Sequence, residues 1–195
     1  MKVVLASNNT HKVEELKQNL PADFSIVTMG ELGIESPEET GTTFVENAII
    51  KARHAAAQSG LAAIADDSGL EVDYLKGAPG IYSSRFAGAE ATDDQNNRKL
   101  LQTLDGIPDE LRGARFRCII VMLMHQADPT PIIAMGTWEG QILTNPRGGE
   151  GFGYDPVFFV PQLNRCAAEL TQAEKTEYSH RGLALKQFNQ ILANG

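Results

Sequence analysis

The chain opens with Val3-Val4-Leu5-Ala6-Ser7-Asn8-Asn9-Thr10-His11-Lys12-Val13, and this stretch indicates the class of fold. Residues 3–6 are a short apolar run, which predicts a buried strand. The polar turn that follows leads into a helix, because Val13, Leu16 and Leu20 recur at helical spacing and mark one face. A strand, a loop and a helix in this order are the opening unit of an α/β fold.

The alternation of strands and helices continues along the chain. An alanine-rich helix is predicted over residues 44–56. Pairs of capping residues, Thr92 with Gln95 and Thr171 with Glu174, predict the starts of two more helices. Further strands are predicted at residues 26–29, 61–65, 116–124, 132–138 and 157–160. The middle strands look antiparallel and no shift in composition marks a boundary, so we predict one domain, residues 1–195, with a mixed sheet.

Composition and charge exclude several classes of function. The 195 residues are 42% hydrophobic, enough for a core, and the formal net charge of −8 disfavours a nucleic-acid polymer as partner. The longest apolar run, residues 118–124, is too short to span a bilayer. The first residues lack the pattern of a signal or transit peptide, so we expect a cytoplasmic protein with no membrane partner. Cys118 and Cys166 have no metal-type spacing, and we expect no disulfide between them.

The first candidate site is Ser7-Asn8-Asn9-Thr10-His11-Lys12. Polar side chains and a lysine lie between a strand end and a helix start, where free N–H groups and the helix dipole favour an anion. The alternative is an ordinary capped turn between a strand and a helix, which is common. The spacing is not that of a P-loop.

The second candidate site is acidic. In Ile64-Ala65-Asp66-Asp67-Ser68-Gly69, two carboxylates follow an apolar strand directly. Sites in open α/β sheets lie at strand ends, and paired carboxylates suit Mg²⁺ or a general base. The alternative is a solvated turn, because Asp, Ser and Gly are common turn residues. The nearby Glu38, Glu39 and Glu46 could join the cluster, and Lys51 points either to water or to phosphate.

Two later segments suggest recognition of a base. A glycine-rich loop ends in Phe152-Gly153-Tyr154-Asp155, where aromatic rings beside flexible backbone suit stacking on a base. A turn with core aromatics is the alternative. Ser179-His180-Arg181-Gly182 places an arginine at a predicted helix start, against the helix dipole, and this local conflict hints at function.

Together these segments resemble the Ham1-type inosine triphosphate pyrophosphatases. The match runs in order along nearly the whole chain. It is carried by Ser7 to Lys12, Glu38-Glu39-Thr40-Gly41, Phe44-Val45-Glu46-Asn47-Ala48 with Lys51-Ala52, Ala65-Asp66-Asp67-Ser68-Gly69-Leu70, Gly77-Ala78-Pro79-Gly80-Ile81-Tyr82-Ser83, Gly151-Phe152-Gly153-Tyr154-Asp155-Pro156 and Ser179-His180-Arg181-Gly182.

The resemblance implies an activity and an architecture. The expected enzyme hydrolyses non-standard purine nucleoside triphosphates (ITP, dITP and XTP) to the monophosphate and pyrophosphate, with Mg²⁺, and so keeps them out of DNA and RNA. The expected architecture is an elongated mixed sheet flanked by helices, with two lobes, the active-site cleft between them, and a homodimer.

The resemblance also implies residue roles. Asp67 would be the general base and, with Glu39, a metal ligand, although the neighbouring Glu38 is an alternative. The remaining positions would bind substrate, on the phosphate side or the nucleoside side: Ser7, Asn8, Asn9, Thr10, His11, Lys12, Lys51, Ser68, Phe152, Gly153, Tyr154, Asp155, Lys175, His180 and Arg181. The family often has Thr-Gly-Asn where this chain has Ser7-Asn8-Asn9, so Asn8 has to accept the backbone shape that glycine allows.

Two other functions remain open at this point. A septum-formation-type nucleotide pyrophosphatase would share the architecture but prefer other bases, and the segments at Phe152 and His180 argue against it. A non-catalytic nucleotide-binding module would bind ITP without releasing pyrophosphate. The carboxylates of Glu39, Asp66 and Asp67 argue against a pure binder, because they repel phosphate. Arg181 has only hydrogen-bond donors, so it matches the 6-carbonyl of hypoxanthine and xanthine but not the amino group of adenine.

Overall fold

Seven strands and five α-helices form within residues 1–194, the part of the chain that this computed structural model describes. The strands are β1 (Lys2–Leu5), β2 (Ser25–Thr28), β3 (Ala62–Val72), β4 (Gly113–Leu123), β5 (Ile132–Ile142), β6 (Phe158–Val160) and β7 (Arg165–Cys166). The helices are α1 (Thr10–Asn19), α2 (Phe44–Ser59), α3 (Asp93–Thr103), α4 (Gln172–Tyr178) and α5 (His180–Asn194).

The strands form one mixed sheet in the order β2-β1-β3-β4-β5-β6-β7. Strand β1 runs parallel to both of its neighbours, β2 and β3. At the other end of the order, β6 pairs antiparallel with β5 and with β7. This confirms the predicted α/β class with a mixed sheet flanked by helices. The predicted cleft between two lobes stays a prediction.

The chain divides into two compact units, and three strands pass from one unit to the other. Unit 1 contains residues 1–67, 118–136 and the chain from residue 181, and unit 2 contains residues 68–117 and 137–180. Three of the four crossings fall inside β3, β4 and β5, and the fourth falls after the first residue of α5. The assignment of residues 1–195 to a single domain remains a prediction.

Unit 1 has a core on each face of its strands, because neighbouring strand residues point to opposite faces. One face carries Val3 and Leu5 together with residues of α1 and α5, such as Leu16 and Phe188. The other face carries residues of β1 and β3 and the alanines of α2. Small alanine side chains let α2 approach the sheet closely. A capping box begins this helix at Thr43, and its last turn ends at a left-handed glycine.

Unit 2 has a separate core rich in aromatic rings. Phe116 and Phe158 have ring centroids 4.5 Å apart, and Trp138 lies 5.3 Å from Phe158. Leu100 of α3 and Leu104, the residue that follows this helix, close the core, and both are fully buried. The predicted capping boxes that begin α3 and α4 are confirmed.

Both cysteines are free thiols inside the cores, as expected. Burial raises the pKa of the Cys118 thiol to about 12, so it stays protonated and unreactive at neutral pH. Within residues 1–194 no helix combines the length and the apolar character that a membrane span requires.

Candidate active site

Asp66 and Asp67 lie in the middle of a strand. The sequence predicted that β3 ends at residue 65 and that the two carboxylates follow it, either as a site or as a turn. The predicted strand end at residue 65 and the turn alternative are wrong, because β3 continues through Ser68 and Gly69 to Val72. Asp66 is 1% exposed and Asp67 is 7% exposed. Charged partners from other elements neutralise these carboxylates, and tertiary contacts of this kind override the local preference of Asp for turns.

Asp66 meets cations from α1 and from α5. Its even-numbered strand neighbours Ala62 and Ile64 belong to the core that α1 and α5 cover. The Oδ2 atom of Asp66 lies 3.2 Å from Lys12 Nζ and 3.5 Å from Arg181 Nη2. The other end of the Arg181 guanidinium donates to Glu15 Oε2 at 2.5 Å. Asp66 is therefore part of a buried chain of alternating charges.

Asp67 meets a cation from α2. Its strand neighbours Ala63 and Ala65 belong to the core that α2 covers. The Nζ atom of Lys51 lies 2.9 Å from Asp67 Oδ1 and 2.9 Å from Glu39 Oε1. One ammonium thus holds two carboxylates together. Lys12, Glu39, Lys51, Asp66, Asp67 and Arg181, all in unit 1, are called the charged cluster from here on.

The two aspartates have pKa values that shift in opposite directions. Burial alone raises the pKa of Asp66, but the charges of Lys12, Arg181 and Lys51 outweigh it and hold that pKa well below its usual range. Burial also raises the pKa of Asp67, and here Lys51 offsets only part of the effect, so the pKa stays above its usual value. Asp66 is thus locked in its charged form, whereas Asp67 is the better proton acceptor.

The loop between β1 and α1 presents the predicted phosphate-binding residues at a helix start. Asn9 caps α1, and its Oδ1 accepts from the backbone N–H of Lys12 at 3.1 Å. The exposed Asn8 donates to Ser36 Oγ at 2.8 Å. Among residues 1–194, positive φ at a non-glycine residue occurs only at Lys76 and Asn164. Asn8 therefore accepts its place in the loop without left-handed backbone. Thr10 and His11 form the exposed first turn of α1.

The loop of residues 151–155, called the glycine loop, lies in unit 2. Phe152 is half-buried, whereas Tyr154 is 4% exposed and donates its hydroxyl to the carbonyl of Ser83 at 2.8 Å. Asp155 forms a buried ion pair with Lys175 of α4, with 2.6 Å between Oδ2 and Nζ. The structure therefore joins the predicted residues Asp155 and Lys175, and it anchors Tyr154 in the aromatic core.

His180 lies in the same unit as the glycine loop, but Arg181 does not. The His180 imidazole stacks on Phe116, with centroids 4.7 Å apart and an interplanar angle of 13°. Arg181 is 2% exposed in unit 1, where Asp66 and Glu15 bind its guanidinium. The base-reading role that the sequence suggested for Arg181 stays a prediction. Ser68 is half-buried in β3 at the start of unit 2.

Two glutamates make contacts that the sequence did not predict. Glu46, a candidate for the acidic cluster, instead completes the capping box of α2 and accepts from Thr42 and Thr43. Glu15 was not among the predicted residues, yet it binds Arg181. It lies three residues after Lys12 in α1, and residues at this spacing share a helix face. That spacing is the one signal in the sequence that points to Glu15.

The donor set of the charged cluster fits a hard cation that also binds phosphate. Glu39 and Asp67 converge on one point, and within residues 1–194 the buried Oδ1 of Asp66 has no hydrogen-bond partner. Residues 1–194 contain no group of three or more His, Cys, Asp or Glu side chains that could hold a metal ion. Mg²⁺ commonly takes one or two carboxylates and completes its coordination with substrate phosphates and water.

The fold and these side chains define an α/β protein with a buried cluster of paired carboxylates and cations. Comparison with known proteins identifies the family: the Ham1 family model matches residues 3–191, and the chain belongs to the Ham1 family.

Close relatives carry one shared name. A protein of Escherichia coli O157:H7 named dITP/XTP pyrophosphatase is 58% identical over 100% of this chain and 99% of its own length. A protein of Vibrio vulnificus (strain YJ016) with the same name is 57% identical over 96% of this chain and 94% of its own length. The solved structure of a Ham1 protein from Coxiella burnetii covers 100% of both chains at 48% identity, with a TM-score of 0.94. The Ham1 protein of Staphylococcus aureus gives 40% identity and a TM-score of 0.90.

Proposed function

We propose that this chain is a nucleotide pyrophosphatase that hydrolyses ITP, dITP and XTP to the nucleoside monophosphate and pyrophosphate. The observation that carries the proposal is the convergence of Asp67 and Glu39 on Lys51, in a family whose close relatives are named dITP/XTP pyrophosphatase. Removing such nucleotides from the pool would keep them out of DNA and RNA. We place this activity in the cytoplasm and expect a homodimer, which the resemblance to the family supports.

Glu39 and Asp67 are the proposed ligands of Mg²⁺. A bound Mg²⁺ supplies charge neutralisation and Lewis acidity at the phosphate oxygens. Lys51 now holds both carboxylates, so it fixes their spacing. It remains nearby as a point charge for phosphate. Burial alone lowers the pKa of Lys51, but the carboxylates of Asp67, Asp66 and Glu39 raise it above its usual value, so this cation is permanent at neutral pH.

Asp67 is the proposed general base. The reaction is attack of water on the α-phosphorus, with pyrophosphate as the leaving group. Its place on β3 fixes the direction of the carboxylate that accepts the proton. Lys12 and the first turn of α1 supply positive potential for the triphosphate. Most of the rate acceleration comes from such fixed charges, because the substrate is itself highly negative.

The residues of unit 2 are proposed to bind the nucleoside. Phe152 offers a half-buried ring on which a purine can stack, and the ion pair of Asp155 with Lys175 supports the loop beneath it. Stacking supplies affinity for any purine, so base selection needs hydrogen bonds. His180 is the donor that we propose for a 6-carbonyl, in the tautomer that carries the proton on the ring nitrogen facing the base.

Two roles are considered for Arg181: it either recognises the 6-carbonyl of the base or holds Asp66 in place. If Arg181 reads the 6-carbonyl, Arg181→Lys lowers kcat/KM for ITP more than for ATP. If its task is to hold Asp66, both values fall together and the ratio is unchanged. Lysine keeps the positive charge beside Asp66, so the folded protein is available for either measurement.

A substrate panel tests the proposed function directly. Nucleoside triphosphates and deoxynucleoside triphosphates are incubated with the protein and Mg²⁺, and pyrophosphate is measured separately from orthophosphate. ITP, dITP and XTP are expected to release pyrophosphate, and ATP is expected to be a poor substrate. Orthophosphate as the first product would contradict cleavage at the α-phosphorus and would indicate a conventional nucleoside triphosphatase.

A further inference from the structure

The glycine loop needs a restraint from outside itself. Gly151 and Gly153 have φ values of 90° and 62°, and glycine has more conformational freedom to lose than any other residue. A side chain at Gly151 would overlap Asp155 and Lys175, so the first glycine is needed for close packing. The space around Gly153 is open, so close packing of this kind does not hold its backbone.

Helix α3 supplies these hydrogen bonds to both polar groups of Gly153. The backbone N–H of Gly153 donates to Asp93 Oδ2 at 2.7 Å, and its carbonyl accepts from Asn97 Nδ2 at 2.8 Å. Asp93 and Asn97 are four residues apart and so share one face of α3. The capping box of Thr92 with Gln95 fixes the turn that carries Asp93. These two hydrogen bonds, of Asp93 and of Asn97 with Gly153, are called the grip from here on.

This grip also determines the position of Phe152. The N–H of Gly153 belongs to the peptide group that follows Phe152, so holding it fixes the backbone on that side. On the other side, the N–H of Phe152 donates to Asp155 Oδ2 at 3.3 Å, and Lys175 holds the same oxygen. Both peptide groups of Phe152 are therefore restrained while its side chain stays half-buried.

We propose that Asp93 and Asn97 are positioning residues that hold the ring of Phe152 where a purine base stacks. The inference rests on the proposed function, because it requires a nucleotide at the glycine loop. Without the grip, the loop has to be ordered when substrate binds, and this ordering weakens binding. The chemical step depends on the charged cluster and is unaffected. Asp93 and Asn97 thus set KM rather than kcat.

The adjacent residues of α3 provide matched controls. Asp94 is exposed like Asp93, but it pairs with Arg98 on its own helix. Asn96 is buried like Asn97, but it bonds to the carbonyl of Ser84 and the N–H of Ala87. Substitutions at 94 and 96 therefore report damage to α3 itself.

Steady-state kinetics with ITP and Mg²⁺ test the proposal. Asp93→Ala is expected to raise KM about tenfold, which corresponds to one lost charge-assisted hydrogen bond. Its kcat and melting temperature stay close to wild type. Asp93→Asn keeps an oxygen acceptor for Gly153 and restores KM, whereas Asp94→Ala leaves KM unchanged. Asn97→Ala raises KM more than Asn96→Ala does.

Amide hydrogen exchange of the nucleotide-free protein gives a readout that does not depend on activity. Asp93→Ala is expected to accelerate exchange at Gly153, and Asp94→Ala is not. Equal exchange in the two variants would overturn the grip, and faster exchange with unchanged KM would overturn its link to nucleotide binding. If the wild type fails to convert ITP while the exchange difference persists, the proposed function is wrong and the grip on Gly153 stands.

Discussion

The charged cluster of unit 1 and the glycine loop of unit 2 hold their side chains by different means. In the cluster, side chains on β3, on three helices and on the loop before α2 pair with one another, as Lys51 does with Asp67 and Glu39. In the loop, the restraints act on the backbone, as Asp93 and Asn97 do at Gly153. Fixed charges need rigid supports, because a displaced charge loses most of its effect on a transition state. In the loop, the hydrogen bonds fix the peptide groups on both sides of Phe152.

A similar contrast exists between the two neighbours in β3. Asp66 is surrounded by Lys12 and Arg181, whereas Asp67 shares Lys51 with another carboxylate. The first arrangement fixes a charge in the protein interior. The second arrangement leaves a carboxylate of raised pKa, suited to accept a proton. We therefore propose a structural role for Asp66 and a catalytic role for Asp67.

The largest expected effect is a loss of turnover on substitution of Asp67, which tests its proposed catalytic role. Asp67→Asn keeps the shape of the side chain but removes the charge and the base, so kcat for ITP should fall by ~10²-fold or more. The urea unfolding midpoint should change less than it does for Asp66→Asn. Near-normal turnover by Asp67→Asn would show that another group accepts the proton.

The next largest effect is a loss of stability on substitution of Asp66, which tests its structural role. Asp66→Asn removes the charge that Lys12 and Arg181 share, and a buried cation left without its partner is costly. The free energy of unfolding should fall by roughly 3 kcal/mol, the low end for a broken buried pair, because Glu15 still binds Arg181. Urea unfolding measures this loss. An unchanged midpoint would mean that Asp66 has no structural task.

A smaller effect, a rise in KM, is expected on substitution of Phe152 in the glycine loop. Phe152→Ala removes the ring on which the base is proposed to stack, so KM for ITP should rise about tenfold while kcat changes little. Tyr74→Ala, at an exposed aromatic residue of the same unit, serves as the control. A loss confined to kcat would place Phe152 with the chemistry and would remove the distinction between the two regions.

The smallest effect concerns electrostatic capture of the triphosphate by Lys12 and Lys51, whose side chains are largely buried. Lys12→Ala and Lys51→Ala should each weaken rate and affinity. Added salt should raise KM for the wild type by a few-fold, because the Debye length falls to about 10 Å at 0.1 M. Lys12→Ala should show a shallower salt dependence than Lys17→Ala, a change at an exposed lysine of the same helix. Equal slopes would mean that Lys12 does not steer the substrate.

The fold was largely predictable from the sequence because local patterns carry it. The apolar spacing of α1, the alanines of α2 and the capping boxes at Thr92 and Thr171 each act within a few residues. The extent of β3 was not predictable. Asp66 to Gly69 have the composition of a turn, and only the cations of other elements make a strand possible there.

The family resemblance supplied the residues proposed for the site, but it did not predict the contacts that the structure shows among them. Arg181 binds Glu15 and Asp66, which lie 166 and 115 residues away in the chain. Asn97 reaches Gly153 across 56 residues. Contacts of such range follow from packing and leave no pattern at either residue. The sequence suggested that Glu39 could join the acidic cluster of Asp66 and Asp67, but it did not predict the ion pair of Glu39 with Lys51.

Hydrolysis of ITP in H₂¹⁸O tests the central claim most directly, namely that the protein directs water to the α-phosphorus. The label should appear in the phosphate group of IMP, and the released pyrophosphate should carry none. Label in pyrophosphate and not in IMP would mean attack on the β-phosphorus and would contradict the account.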